Sequence, residues 1–299
     1  MLYFVGNGDT LYSIARRFNV IVQDILNANV ICNPNIIFPG QPLIIPESNH
    51  SNHELLKAGG HPYYIVLPGD SLYCIAAQLN TTVDNLIEGN DIKNPDLIYP
   101  GTELLITYDI PVPEELFNTW KSTGDKYCGQ MSSLQIHGIY YIGTFLWQAL
   151  GYKGMTYLTK LLNHPCPEVR FFTVLSLGRI ADGDKVIWSL TQMLKDPDES
   201  VVNIATLALK RIRLVKDIGK RVHVTIGENN RLFVNPVYTS PFVLLHEGTP
   251  VIVMKWRIPS PTGEEGPVGG IQIYDYVQVL STGQVGFLPR LGYDEIVMI

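Results

Sequence analysis

Charge is scarce in this 299-residue chain: 17% of its residues are charged, and the net charge is −6. No basic stripe is present to displace counterions, so a nucleic-acid backbone is not an expected partner. Cysteine is sparse too. Cys32, Cys74, Cys128 and Cys166 lie far apart and form no C-x-x-C pair. That spacing argues against a zinc site and against a disulfide framework, and it predicts four free thiols in a reducing compartment. No basic segment followed by an apolar stretch opens the chain, because Gly6, Asn7, Gly8 and Asp9 interrupt it. The expectation is synthesis without export, or a mature form. Met131 to Tyr152, "MSSLQIHGIYYIGTFLWQALGY", carries no formal charge, yet Ser132, Ser133, Gln135, His137 and Gln148 make it too polar for a bilayer. G-x-S-x-G, H-E-x-x-H and Walker motifs are missing.

Hydrophobic residues make up 46% of the chain, enough for a core, and the length allows two or three ordinary domains or more small ones. The first feature present is a duplication. Shifting the chain by 61 residues lays 3–46 on 64–107 without a gap, with 19 of 44 positions identical. "VGNGDTLYSIARRF" returns as "VLPGDSLYCIAAQL". In each copy a short strand leads into a Gly-Asp-Thr or Gly-Asp-Ser turn, whose aspartate or hydroxyl can cap a helix. Leu11, Ile14, Ala15 and Phe18 then recur on one helical face. A second short helix ends near Asn29 or Asn90, capped by Thr81 or Thr82 in the second copy and without an obvious cap at Val20 and Ile21 in the first. An Asn-Pro loop, a Pro-Gly turn and a closing strand complete a β-α-α-β unit.

Both copies resemble LysM domains, through "GDTL" and "GDSL", Asn29 and Asn90, and "NPNIIFPGQPLII" and "NPDLIYPGTELLI". The resemblance implies binding of N-acetylglucosamine polymers, peptidoglycan or chitin, in a shallow groove between two loops. Carried over, the first groove uses Gly8, Asp9, Thr10 and Leu11 with Ile31, Asn33, Pro34, Asn35 and Ile36. The second uses Gly69, Asp70, Ser71 and Leu72 with Ile92, Asn94, Pro95, Asp96 and Leu97. Asp9 and Asp70 also read as plain helix caps, and Asn29 and Asn90 as groups satisfying buried backbone. The polar linker "ESNHSNHELLKAGGHP" is expected to let the modules move and to gain affinity by avidity.

After Thr107 the pattern turns helical, and a second repeat appears at a shift of 32. Leu158–Ile180 lies over Leu190–Ile212, with Pro165/Pro197, Val169/Val201 and Arg179/Arg211 among the matches. This resembles HEAT-like repeats, with Leu134–Leu150 as the second helix of a degenerate earlier unit. Such stacks mostly present a surface to another protein, or serve as rigid spacers. From Arg221 short strands take over: "VHVTI", "PVIVMKW", "YDYVQVL" and "GQVGFLP". They resemble a bacterial SH3-like domain, carrying Pro259–Gly270 as an insertion. The expected architecture is therefore multidomain: two β-α-α-β LysM-like modules (1–47 and 63–108, linker 48–62), an α-helical HEAT-like repeat domain (109–218) and an all-β SH3-like barrel (219–299).

A search for chemistry yields little. Cys128 and Cys166 with His137 and His164 lack a nucleophile context. Glu114-Glu115 and Asp182…Asp184 read as helix-end charges rather than a glycosidase pair. His50, His53 and His61 are scattered in the linker rather than set at ligand spacing. The expectation is a non-enzymatic protein without cofactor or metal. It binds N-acetylglucosamine-containing glycan and engages a protein or wall-peptide partner. The missing leader resembles spore-envelope proteins that begin with LysM and are deposited from the mother-cell cytoplasm. The competing readings are an accessory subunit or undetected wall hydrolase, and an intracellular scaffold whose modules no longer bind sugar.

Overall fold

The computed structural model describes residues 1–46, 61–181, 184–292 and 295–299. Most of the linker, with His50 and His53, and also Asp182 and the side chain of Asp184, lie outside the described residues. The first module runs β1 (Leu2–Phe4), α1 (Leu11–Phe18), α2 (Val22–Ala28) and β2 (Pro42–Ile44). Its two strands pair antiparallel, with Tyr3 opposite Leu43. The second repeats this as β3 (Tyr63–Ile65), α3 (Leu72–Gln78), α4 (Val83–Gly89) and β4 (Glu103–Leu105), with Tyr64 opposite Leu104. Each has a small core of its own: Leu11, Ile14, Ile25 and Leu43 in one, and Leu72, Ile75, Leu86 and Leu104 in the other.

The caps correct one expectation. Thr10 and Ser71 cap α1 and α3, accepting from the N–H of Ser13 at 3.0 Å and of Cys74 at 3.2 Å. The aspartates before them turn the other way, toward the first strand. Thr82 caps α4, whereas α2 starts at Ile21 with no side-chain cap.

Six further helices form the middle of the chain, with a seventh short one at a turn: α5 (Pro113–Tyr127), α6 (Ser133–Ile136), α7 (Ile142–Leu150), α8 (Met155–Leu161), α9 (Pro167–Ile180), α10 (Asp184–Met193) and α11 (Glu199–Ile218). A π-helical turn, His137–Tyr141, joins α6 to α7. Prolines open α5 and α9 at the first turn, where no intrahelical donor is lost. Helix α9 packs on both α7 and α11, so the second helices of successive units stack. Trp120, Trp147, Val169, Leu175, Val201 and Ile204 fill the core between them. Gly178 is required there, since a Cβ would come within 2.4 Å of Ile299 Cδ1 and 2.8 Å of Ala208 Cβ. Arg170 clamps adjacent units through two bonds to Asp196, at 2.7 and 2.8 Å. Among the described residues no helix is long and apolar enough to cross a membrane.

The C-terminal strands are β5 (Val222–Val224), β6 (Asn230–Phe233), β7 (Phe242–Leu245), β8 (Pro250–Pro259), β9 (Ile273–Val279) and β10 (Val285–Pro289). They form one antiparallel sheet in the order β5-β8-β9-β10-β6-β7. Among the described residues β5 and β7 do not pair, so the expected closed barrel is not what forms. Two register shifts in β8, around Lys255, bend the strand and divide it between two cores. Val251, Val253 and Trp256 pack with Tyr63 and Leu105 of the second module. Ile258 packs with Ala28 and Ile44 of the first.

Both modules therefore dock on the sheet, against the expectation that they move independently. Two disulfides overturn the expectation of free thiols. Cys32 bonds Cys74 across the modules, and Cys128 bonds Cys166 between the end of α5 and the start of α9. No cysteine is free.

Candidate glycan-binding site

Each candidate groove is built on a turn held back against its first strand. Gly8 and Gly69 adopt φ of +79° and +85°, which a side chain would strain. The Asp9 carboxylate then accepts from the Gly6 N–H at 2.8 Å and from the Tyr3 hydroxyl. Asp70 accepts from the Leu67 N–H and the Tyr64 hydroxyl, both at 2.7 Å. The two differ in charge environment. Arg17 reaches Asp9 at 3.0 Å, and Gln78 stands at the matching place in the second module. The Tyr3 hydroxyl, the Gly6 N–H and Arg17 hold Asp9 below the usual carboxylate range, whereas burial pushes Asp70 above it.

The second wall of each groove is an Asn-Pro turn. Asn33 accepts from the Asn35 N–H at 3.0 Å through its side chain, and from Ile36 through its carbonyl. Asn94 repeats this with Asp96 and Leu97. Asn29 holds the wall to the strand: its amide donates to the carbonyls of Ile25 and Ile44 and accepts from the Ile44 N–H, each at 2.8 Å. Asn90 makes the same three bonds with Leu86 and Leu105. These two residues are structural, as the backbone-satisfying reading expects.

The structure sorts the remaining groove candidates by exposure. Gly8, Thr10, Asn33, Pro34, Asn35 and Ile36 are exposed, as are Gly69, Ser71, Asn94, Pro95, Asp96 and Leu97. Leu11, Ile31 and Leu72 are buried, and Ile92 is half-buried against the second core. These four shape the walls from beneath. The modules are also closer than a linker implies. The Cys32–Cys74 bridge sets the Asn-Pro wall of the first module beside the Gly69-Asp70 turn of the second, so Asn33, Ile36, Gly69 and Asp70 line one narrow cleft.

One pair of residues escapes sequence reasoning. Tyr12 and Tyr73, directly after the groove leucines, are 73% and 79% exposed. Both lie in the first turn of their helices, and an exposed aromatic face is a surface on which a sugar ring can stack. Their signal was identity between the copies without a place on the apolar helical face. The thiol candidates, by contrast, offer no nucleophile, since Cys128 and Cys166 are bonded to each other. Of the linker histidines, His61 stacks on Tyr108 at 5.7 Å.

Comparison with known proteins agrees with this geometry. The LysM domain model matches residues 3–46 and 64–107, and the HEAT repeats model matches 146–216. A secreted LysM effector of Passalora fulva is 34% identical over 157 residues, covering 44% of this chain and 68% of that protein. An N-acetylmuramoyl-L-alanine amidase of Staphylococcus aureus is 34% identical over 112 residues, 35% of this chain, and the chain spans only 33% of the amidase's length. The Bacillus cereus spore cortex-lytic enzyme SleL overlays 60% of this chain and 55% of its own at 18% identity, with a TM-score of 0.18, too low to carry an argument. With both modules matched end to end and most of the effector covered, the chain belongs to the LysM family.

Proposed function

We propose that this protein is a non-catalytic binder of N-acetylglucosamine-containing glycan, with peptidoglycan as the first candidate and chitin as the second. The observation that carries the reading is the duplicated pair of exposed loops, each with an exposed tyrosine at its helix side. Shallow single grooves bind weakly, and two grooves joined at fixed spacing gain affinity by acting together.

The place of action in this reading is a bacterial cell wall or spore envelope. The amidase relative supports a wall setting, and the two disulfides suit an oxidising environment rather than the reducing one expected from cysteine spacing. The helical stack and the C-terminal sheet, taken as an opened SH3-like unit, engage a protein or wall-peptide partner. Supporting this is Trp188 on α10, 65% exposed.

Titration of chitooligosaccharides and muropeptides of increasing length tests the glycan claim. Binding that tightens with chain length and weakens in Asn94→Ala agrees with it; no binding of any length at about millimolar concentration overturns it. The hydrolase reading has its own test. Muropeptides released from purified wall by the native protein, and not by a heat-inactivated sample, would sink the non-catalytic assignment.

A further inference from the structure

A cavity of about 690 Å³ opens where the second LysM domain meets the helical stack. That volume lies in the range of small-molecule sites. Two arginines on its wall, Arg179 and Arg211, hold matched positions in the helical repeat and are each 2% exposed. Arg211 spends its donors on the backbone carbonyls of Val222, Gly178, Arg179 and Lys220. Arg179 donates to the Thr144 hydroxyl and lies over the Phe145 ring at 3.8 Å. The Tyr141 ring lies 5.0 Å from the same guanidinium, and among the described residues its Nε and Nη2 are buried without a hydrogen-bond partner.

Counter-charge is short on this wall. Among the described residues neither arginine has a carboxylate partner. The buried carboxylate there, Glu103, is occupied by Trp256 Nε1 at 3.0 Å and His223 Nε2 at 3.1 Å. Lys153 and Lys93 at the rim are paired with Glu88 and Asp91, and Lys220 adds a further exposed cation. Among the described residues, two buried guanidinium charges thus face one buried carboxylate. Leaving a buried cation uncompensated is costly, and guanidinium is the side chain best shaped to grip a planar or tetrahedral anion.

We infer that this cavity is a binding site for a small anion, a carboxylate- or phosphate-bearing molecule, seated against Arg179 and Arg211. The occupant brings the negative charge that the surrounding fold withholds. The site is distinct from the glycan grooves, with which it shares only Ile92.

The test is calorimetric titration of the full chain with inorganic phosphate and, separately, with succinate at constant ionic strength. The expected result is saturable 1:1 binding of at least one anion with a Kd below about 1 mM. Phosphate alone identifies a phosphate ligand, succinate alone a carboxylate, and both together a general anion site. Arg179→Gln should weaken binding at least tenfold while keeping or raising the thermal midpoint of the unliganded protein. Should that variant fail to fold, Lys220→Glu on the exposed rim should weaken binding at least threefold with the fold intact. Chitooligosaccharide binding should be unchanged in both variants, which separates this site from the grooves. No saturable uptake of either anion by the folded wild type up to about 10 mM, or undiminished affinity in the folded variants, overturns the inference.

Discussion

Cys32 of the first LysM domain and Cys74 of the second form a disulfide, with Cα atoms 5.6 Å apart. The bridge joins positions that are not equivalent in the repeat, since Cys32 aligns with Lys93 and Cys74 with Ser13. It fixes one module against the other with two groove walls side by side.

The double variant Cys32→Ser/Cys74→Ser should therefore lose stability. Closing a loop of 42 residues restricts the unfolded chain by about 4 kcal/mol on the chain-entropy account, an upper figure for the loss. Denaturant unfolding measures it. The same variant should bind long oligosaccharides less tightly and short ones equally well, and an equal loss at all lengths would contradict a shared cleft.

The Arg170–Asp196 pair sits between repeat units with both side chains mostly buried, 10% and 4% exposed. Among the described residues, Asp196→Ala leaves the guanidinium with only the carbonyls of His164 and Pro165. We expect a loss of about 3–5 kcal/mol by chemical denaturation. The double variant Arg170→Met/Asp196→Leu should lose less, because no charge is left stranded.

Asp9 and Asp70 should titrate on opposite sides of the ordinary carboxylate value. Asp9, lowered, supports folding above that value and loses its contribution as pH falls through its own pKa. Asp70, raised, has its contribution in full at acid pH and loses it as pH rises through its pKa. Carboxyl carbon NMR reads both directly. Arg17→Gln should move Asp9 upward, toward the behaviour of Asp70; no movement would show that Arg17 has no part in the difference.

Lys255 packs between the sheet and the first module, its ammonium donating to the Pro42 carbonyl. Burial lowers its pKa to about 7, so the protonated form is disfavoured in the fold. The stability difference between wild type and Lys255→Met should therefore shift in favour of the wild type as pH rises from about 7 toward the ordinary lysine value of 10.5. A difference flat across that window would refute the assignment.

Tyr12→Ala and Tyr73→Ala each remove an exposed ring from the first turn of the helix that follows a groove turn. Truncating such a contact should cost about 1 kcal/mol, roughly fivefold in glycan affinity, with little change in thermal midpoint. Unchanged affinity in both variants would remove the tyrosines from the binding surface.

Much of this was legible from residue order alone. A 61-residue echo revealed both modules, and the apolar spacing of Leu11, Ile14 and Ala15 marked their helices, because a helix face and a strand face are written in local periodicity. The 32-residue echo did the same for the helical stack, and it paired Arg179 with Arg211. What sequence could not separate was which polar group of the Gly-Asp-Thr turn caps the helix. Asp9 and Thr10 carry similar acceptors, and only backbone direction chose the threonine and sent the aspartate to Tyr3.

Residue order by itself thus determined the LysM identity, the repeat count and the loops that face solvent, all of which depend on neighbours along the chain. Tertiary structure decided the rest. It paired four cysteines that spacing suggested were free, docked both modules on an open sheet rather than beside a closed barrel, and set two arginines under one cavity. Each of these brings together groups more than thirty residues apart, where the partner is chosen by packing and counter-charge rather than by any local pattern.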